Sequence, residues 1–236
     1  MSAAAPHGLH RGELASVENV DSETARLLGD YMAVASSVHQ HMPISGPWFE
    51  ERIRSLLVPR LPAGWFVSGP SQVFDPARPE LRTRSWDLVV HRVPDGDLPP
   101  PASANSGYPL LPKAAVAAVI DTKTMFADVA RYCTQTAFDI RNSCELPQFD
   151  LLGRSVTKIV LAASSPTSAA TLFVQGRDHG AHVFSLSRFY AGPVSDYEQR
   201  EWRLTPERLA EGWPLQLFHE CVALAVARHR EMAGVS

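Results

Sequence analysis

The chain predicts an α/β fold in which a mixed β-sheet is flanked by helices. Three observations carry this. Two apolar, β-rich runs at 84–91 and 114–123 each bring a single acid, Asp87 and Asp121, into an otherwise buried strand. An amphipathic helical pattern follows the second run, and a third apolar run, 156–163, follows that helix. A strand that returns after a helix joins its sheet in parallel, so parallel and antiparallel pairs share one sheet.

In chain order, residues 1–20 are small and polar without a period and form a loose lead-in. Residues 21–236 make one domain, with its core at about 40–165 and C-terminal strands and helix at 166–236. Asp21-Ser22-Glu23 opens a helix in which Ala25, Leu28, Tyr31, Met32 and Ala35 recur at helical spacing to about His39. A second helix follows Pro47 and stops at Pro59, with Phe49, Ile53, Leu56 and Leu57 on one stripe. At about 100° per residue Glu50 falls on the edge of that stripe and faces the domain, whereas Glu51 falls opposite and faces water.

Residues 65–70 read as a short strand, and a connector bearing proline and arginine leads to the strand at 85–91, where alternation puts Asp87, Val89 and His91 on one face. Residues 93–113, rich in Pro, Gly, Asp and Ser, form a long loop, either a functional flap or a disordered segment. In the run 114–123, Val119, Asp121 and Lys123 share one side of the strand, while Ile120 and Thr122 take the other. Phe126, Val129, Ala130, Cys133, Ala137 and Ile140 then mark a long amphipathic helix. Further on, 168–174 reads as a helix, 182–186 as a strand and Pro206 as the start of a helical region. Trp213-Pro214 opens a final helix with Leu217, Phe218, Cys221, Leu224 and Ala225 inward.

Composition narrows the function classes. At 236 residues, 45% hydrophobic and 20% charged, the chain is an ordinary soluble one. Its net charge of −3 supplies no general attraction for nucleic acid, so contact with DNA must come from a local patch or a partner. There is no apolar run near the ~18 residues a membrane span needs and no secretory leader pattern, so a cytoplasmic location is expected. Cys133, Cys144 and Cys221 fit neither a disulfide framework nor a metal spacing and read as reduced thiols. No serine-hydrolase elbow, P-loop or dinucleotide fingerprint occurs.

Asp121-x-Lys123 beside Asp87 is the arrangement that carries chemistry. Two acids on adjacent strands with a lysine can hold a divalent cation and a water, which suffices for hydrolysis of a phosphodiester. Asp-x-Lys is also common as an exposed edge-strand pair of little energetic consequence. Of the 22 basic residues, however, only Lys113, Lys123 and Lys158 are lysine. A lysine kept where arginine is the habit favours a role for the compact ammonium. Arg78, Arg82 and Arg84 precede Asp87 and could meet phosphates or simply solvate a loop. Arg131 and Gln135 share an exposed helix face. His39-x-His41 and His179-x-x-His182 lack the companions of a zinc site, and His91 reads as a strand-end histidine. The five tryptophans read as core or boundary residues.

The order Glu50 helix, Asp87 strand, Asp121-Thr122-Lys123 strand and amphipathic helix resembles the PD-(D/E)xK nuclease superfamily, with its restriction-endonuclease-like fold. Gly46-Pro-Trp-Phe-Glu50-Glu-Arg-Ile-Arg-Ser-Leu-Leu followed by Leu61-Pro looks like a bacterial domain of unknown function assigned to that superfamily. The likeness covers about residues 35–160. Trp86 stands where the pattern has proline, and the acid-x-lysine begins with Asp rather than Glu. The resemblance implies a Mg²⁺- or Mn²⁺-dependent endonuclease acting on DNA, with Asp87 and Asp121 as metal ligands and Glu50 a ligand directly or through water. It implies the Thr122 carbonyl as a further ligand and Lys123 as the group that positions the attacking water. It also implies a setting in restriction or anti-phage defence, with a homodimer or a partner subunit. Because the superfamily includes members without catalysis, a silent binding or assembly module on the same fold is the alternative.

Overall fold

The computed structural model describes residues 22–24, 26, 27, 30, 42–93, 108–126, 129–133, 136–139, 145–186 and 213–234. The lead-in at 1–20, the stripe Ala25 to Ala35, Gln135, the first histidine pair and the helical region expected from Pro206 lie outside these residues.

The helix α1 spans Met42–Leu57. It begins five residues before the expected Pro47 start, so Pro47 occupies its second turn, where it forgoes one intrahelical hydrogen bond. A 3₁₀ turn, Val58–Arg60, ends it at Pro59. The strands β1 (Trp65–Ser68), β4 (Leu88–Arg92), β6 (Val116–Met125), β9 (Thr157–Ser164) and β10 (His182–Ser185) form one sheet in the order β1-β4-β6-β9-β10. β1 and β6 each pair antiparallel with β4, whereas β6, β9 and β10 run parallel. The sheet is therefore mixed, as the sequence predicts.

Both faces of this sheet are covered, which explains why its central strands read as nearly unbroken apolar runs. Ile120, Leu88, Ile159 and Phe184 face a cluster with Phe49, Ile53 and Leu57 of α1 and Phe218, Val222 and Val226 of the last helix, α5 (Trp213–Met232). Val119, Val89, Val160 and Val183 face the opposite cluster. That second layer includes Val129 and Tyr132 of the short helix α2 (Val129–Cys133) and Leu172 of α4 (Ala169–Asp178), whose start Ser168 caps by accepting from the Thr171 amide at 3.2 Å. Leu152 belongs to the remaining short helix, α3 (Gln148–Leu152).

Several expectations are corrected. The connector after β1 is a hairpin, β2 (Gln72–Asp75) and β3 (Arg78–Arg82), and part of the long loop forms β5 (Leu110–Pro112). With β7 (Thr136–Asp139) and β8 (Glu145–Pro147) they build a second five-stranded sheet, β5-β2-β3-β7-β8. The helix expected to Ile140 is only α2; β7 takes its second half, because Ala137 and Phe138 also suit a short strand and β3 and β8 supply backbone partners on both sides. Lys113–Ala115 is a 3₁₀ turn, and β6 starts at Val116. On α5, Leu224 is 64% exposed rather than inward; the buried stripe is Phe218, Cys221, Val222, Ala225, Val226 and His229. Among the described residues no helix is long and apolar enough to cross a membrane.

Candidate active site

Asp87 stands at the entry to β4 rather than within it, since the strand begins at Leu88. Leu88 pairs with Ile120, so continuing the antiparallel register by one step sets Asp87 beside Asp121. The preceding residue is fixed independently: Trp86 and Ser71 exchange backbone hydrogen bonds at 2.9 and 3.0 Å, and Trp86 is buried. The Thr122 amide donates to Oδ2 of Asp87 at 2.7 Å, and its hydroxyl donates to the same oxygen at 3.2 Å. Lys123 donates its ammonium to Oδ1 of Asp121 and holds Nζ 4.0 Å from Oδ2 of Asp87.

This packing sets the electrostatics. Burial pushes the Asp87 carboxyl well above the usual carboxylate range, and its hydrogen bond and charge contact with Asp121 push it further; Lys123 and the Thr122 amide oppose them. Two adjoining carboxyls therefore share a site that resists two negative charges. Glu50 is half-buried on α1, while Glu51 is exposed and paired with Arg54 at 2.8 Å. Burial raises the Glu50 pKa, Lys123 lowers it and Asp121 raises it, so Glu50 lies within the field of the same cluster. The structure thus brings Asp87, Asp121, Lys123 and Thr122 into contact, with Glu50 set back. Among the described residues no three His, Cys, Asp or Glu side chains converge closely enough to ligate one ion.

The donor set nonetheless suits a hard divalent cation. Two adjoining acids whose mutual repulsion a +2 charge would relieve match the way Mg²⁺ keeps several waters and takes few carboxylates.

Several other residues singled out by the sequence engage groups other than the two acids. His91 bonds Ser68 Oγ at 2.6 Å. Arg78 pairs with Asp75 at 3.4 Å, and Lys113 reaches the same carboxylate at 3.1 Å. Arg82 buries Nε and Nη1 without an acceptor among the described residues. The His182 ring lies 6.5 Å from that of Phe173. Cys221 is buried, and burial pushes its thiol up to about 12. A groove of about 350 Å³ between the end of α1 and α5, lined by Leu57, Leu61, His219 and Val226 among others, contains none of the predicted acids. Sequence reasoning missed the bonds from Thr122 to Asp87; the only available signal was a hydroxyl at the middle of the acid-x-lysine triplet.

A mixed sheet with an antiparallel β1-β4-β6 half, a parallel β6-β9-β10 half and helices against it is the restriction-endonuclease-like core. Among solved structures, the chain is similar in fold to NucC of P. aeruginosa ATCC27853 in its cAAA-bound form, with a TM-score of 0.53 and 11% identity, covering 94% of this chain and 100% of that one. NucC of E. coli MS115-1 aligns with a TM-score of 0.46 in its cAAA-bound form, at 13% identity over 74% of this chain and 76% of that one. Its apo form gives 0.40, at 12% identity over 70% and 71%. No protein-family model matches the sequence, and no curated protein matches it significantly.

Proposed function

We propose that this protein is a divalent-cation-dependent nuclease that hydrolyses DNA phosphodiester bonds, serving a bacterial restriction or anti-phage defence system. The observation that carries the reading is the placement of Asp87, at the entry to β4, beside Asp121 of β6, with Lys123 bonded to one acid and 4.0 Å from the other. Asp87, Asp121 and the Thr122 carbonyl would hold Mg²⁺ or Mn²⁺, with Glu50 joining through water. When bound, the cation lowers the pKa of a coordinated water and offsets charge on the phosphoryl oxygens. Lys123 orients the attacking water and, once its carboxylate partner is engaged elsewhere, offers Nζ to the developing negative charge. The half-buried Glu50, with its raised pKa, is suited to accept a proton from that water.

A silent binding module is the second reading, favoured by the set-back Glu50 and the absence of a converging acid trio among the described residues. One experiment separates them. Plasmid, linear and single-stranded DNA and RNA are incubated with the protein and Mg²⁺ or Mn²⁺, beside Asp121→Ala, while calorimetry follows Mn²⁺ binding. Metal-dependent cutting lost in Asp121→Ala supports the nuclease; intact DNA together with no Mn²⁺ uptake sinks it.

A further inference from the structure

The register of β4 and β6 leaves one backbone donor without its usual partner. Leu88 pairs with Ile120, so one full step on, Thr122 would lie opposite Trp86. The Trp86 carbonyl is already taken, accepting from the Ser71 amide at 3.0 Å. The Thr122 amide donates instead to the Asp87 side chain at 2.7 Å, and the Thr122 hydroxyl adds a second bond at 3.2 Å. The carboxylate thus stands in for a ladder carbonyl at the point where the pairing ends. Thr122 is buried, so its own donors are sheltered from water.

We propose that Thr122 is a positioning residue of the cation site: its amide and hydroxyl together pin Oδ2 of Asp87 and so fix how that carboxylate is presented to the metal. This role rests on the cation-dependent reading above and concerns the side chain, apart from the carbonyl expected to ligate. A pinned carboxylate loses less rotamer freedom when a cation arrives, and partners of this kind commonly account for about 10- to 100-fold in metal affinity.

The test compares Thr122→Val, which keeps the β-branched shape, the amide and the carbonyl, with Thr122→Ser, which restores the hydroxyl. Mn²⁺ binding by calorimetry is expected to weaken about tenfold in Thr122→Val and to return close to wild type in Thr122→Ser. In cleavage, the metal concentration for half-maximal rate rises in Thr122→Val and falls back in Thr122→Ser. Without metal, urea unfolding of Thr122→Val, Asp87→Ala and the double variant is expected to be non-additive. Wild-type affinity in Thr122→Val, equal loss in Thr122→Ser, or an additive cycle each overturns the role. If wild-type protein binds no Mn²⁺, the cation reading itself falls and takes this role with it.

Discussion

The Lys123 ammonium stands 4.0 Å from Oδ2 of Asp87 while it bonds the carboxylate of Asp121 two residues before it. One cation of the protein thus serves both acids. Replacing it with methionine keeps an unbranched chain one atom shorter and removes the charge. Lys123→Met is expected to retain or tighten Mn²⁺ binding while cleavage falls by about 10²-fold or more, since a charge aimed at the developing phosphoryl charge is lost. Lys123→Arg should rescue poorly, because a planar guanidinium does not reproduce a compact ammonium. Calorimetry and a plasmid-nicking assay check both arms; loss of metal binding in Lys123→Met would assign the lysine a structural role instead.

Asp87 gives a prediction on stability. Burial and Asp121 raise its pKa in the folded chain above the unfolded value of about 3.9, so the folded state binds its proton more tightly. Stability is then highest below that unfolded value and falls as pH rises toward the folded pKa. Asp87→Asn removes this titration and keeps a carbonyl oxygen for the Thr122 amide. The metal-free variant is expected to melt above wild type at about pH 8, by about 2–4 °C per kcal/mol relieved, with the gap closing toward pH 4. Cleavage is lost at the same time. Thermal melts in chelator across that range decide it, and a variant less stable than wild type at every pH would contradict the electrostatic account.

The sequence made the central sheet legible because burial on both faces leaves long apolar runs: Val119 and Ile120 do face opposite clusters, and β9 joins β6 in parallel. It also separated Glu50 from Glu51 by helical phase alone. The second sheet was hidden for a physical reason. β2, β3, β5, β7 and β8 have between three and five residues each, too few to establish a period, and β3 reads Arg-Pro-Glu-Leu-Arg. Apolar spacing through Ala137 fits a helix as well as a strand, and only the backbone partners on β3 and β8 decide between them. In the site, the residue types were readable from spacing, but the bonds from Thr122 to Asp87 depend on where β4 begins, which no local pattern announces.

Glu23 joins the N-terminal helical residues to the 3₁₀ turn after α1 and to α5. Its carboxylate meets Arg60 at 2.9 Å and lies 3.7 Å from Nε2 of His219, an ion-pair separation rather than a hydrogen bond. The His219 imidazole is the larger influence, burial opposes it and Arg60 adds to it, holding the Glu23 pKa down to about 2. A depressed carboxylate stabilises the fold fully above its unfolded pKa of about 4.3, and that contribution is lost as pH falls toward the folded value. Glu23→Gln is expected to be less stable than wild type at neutral pH and to show a flatter loss of stability between about pH 4 and pH 2. Urea unfolding at several pH values measures it; parallel acid limbs in the two proteins would remove Glu23 from the account.

Gly176 in α4 reverses a usual rule. Glycine inside a helix is ordinarily about 1 kcal/mol worse than alanine, so replacement should stabilise. Here a Cβ would meet Cγ2 of Val183 at 2.6 Å and the Ala181 carbonyl oxygen at 2.9 Å, because α4 packs directly on β10. Overpacking of this kind costs about 1–3 kcal/mol, which exceeds the gain in helix propensity. Gly176→Ala is therefore expected to destabilise. Since one of the two clashes is with a side chain, the penalty should be smaller in a Val183→Ala background, although the backbone oxygen keeps it from vanishing. Equilibrium unfolding of the two single variants and the double variant tests this: a stabilised Gly176→Ala would mean that the helix can move away from β10, and strict additivity would mean that Val183 is not the obstacle.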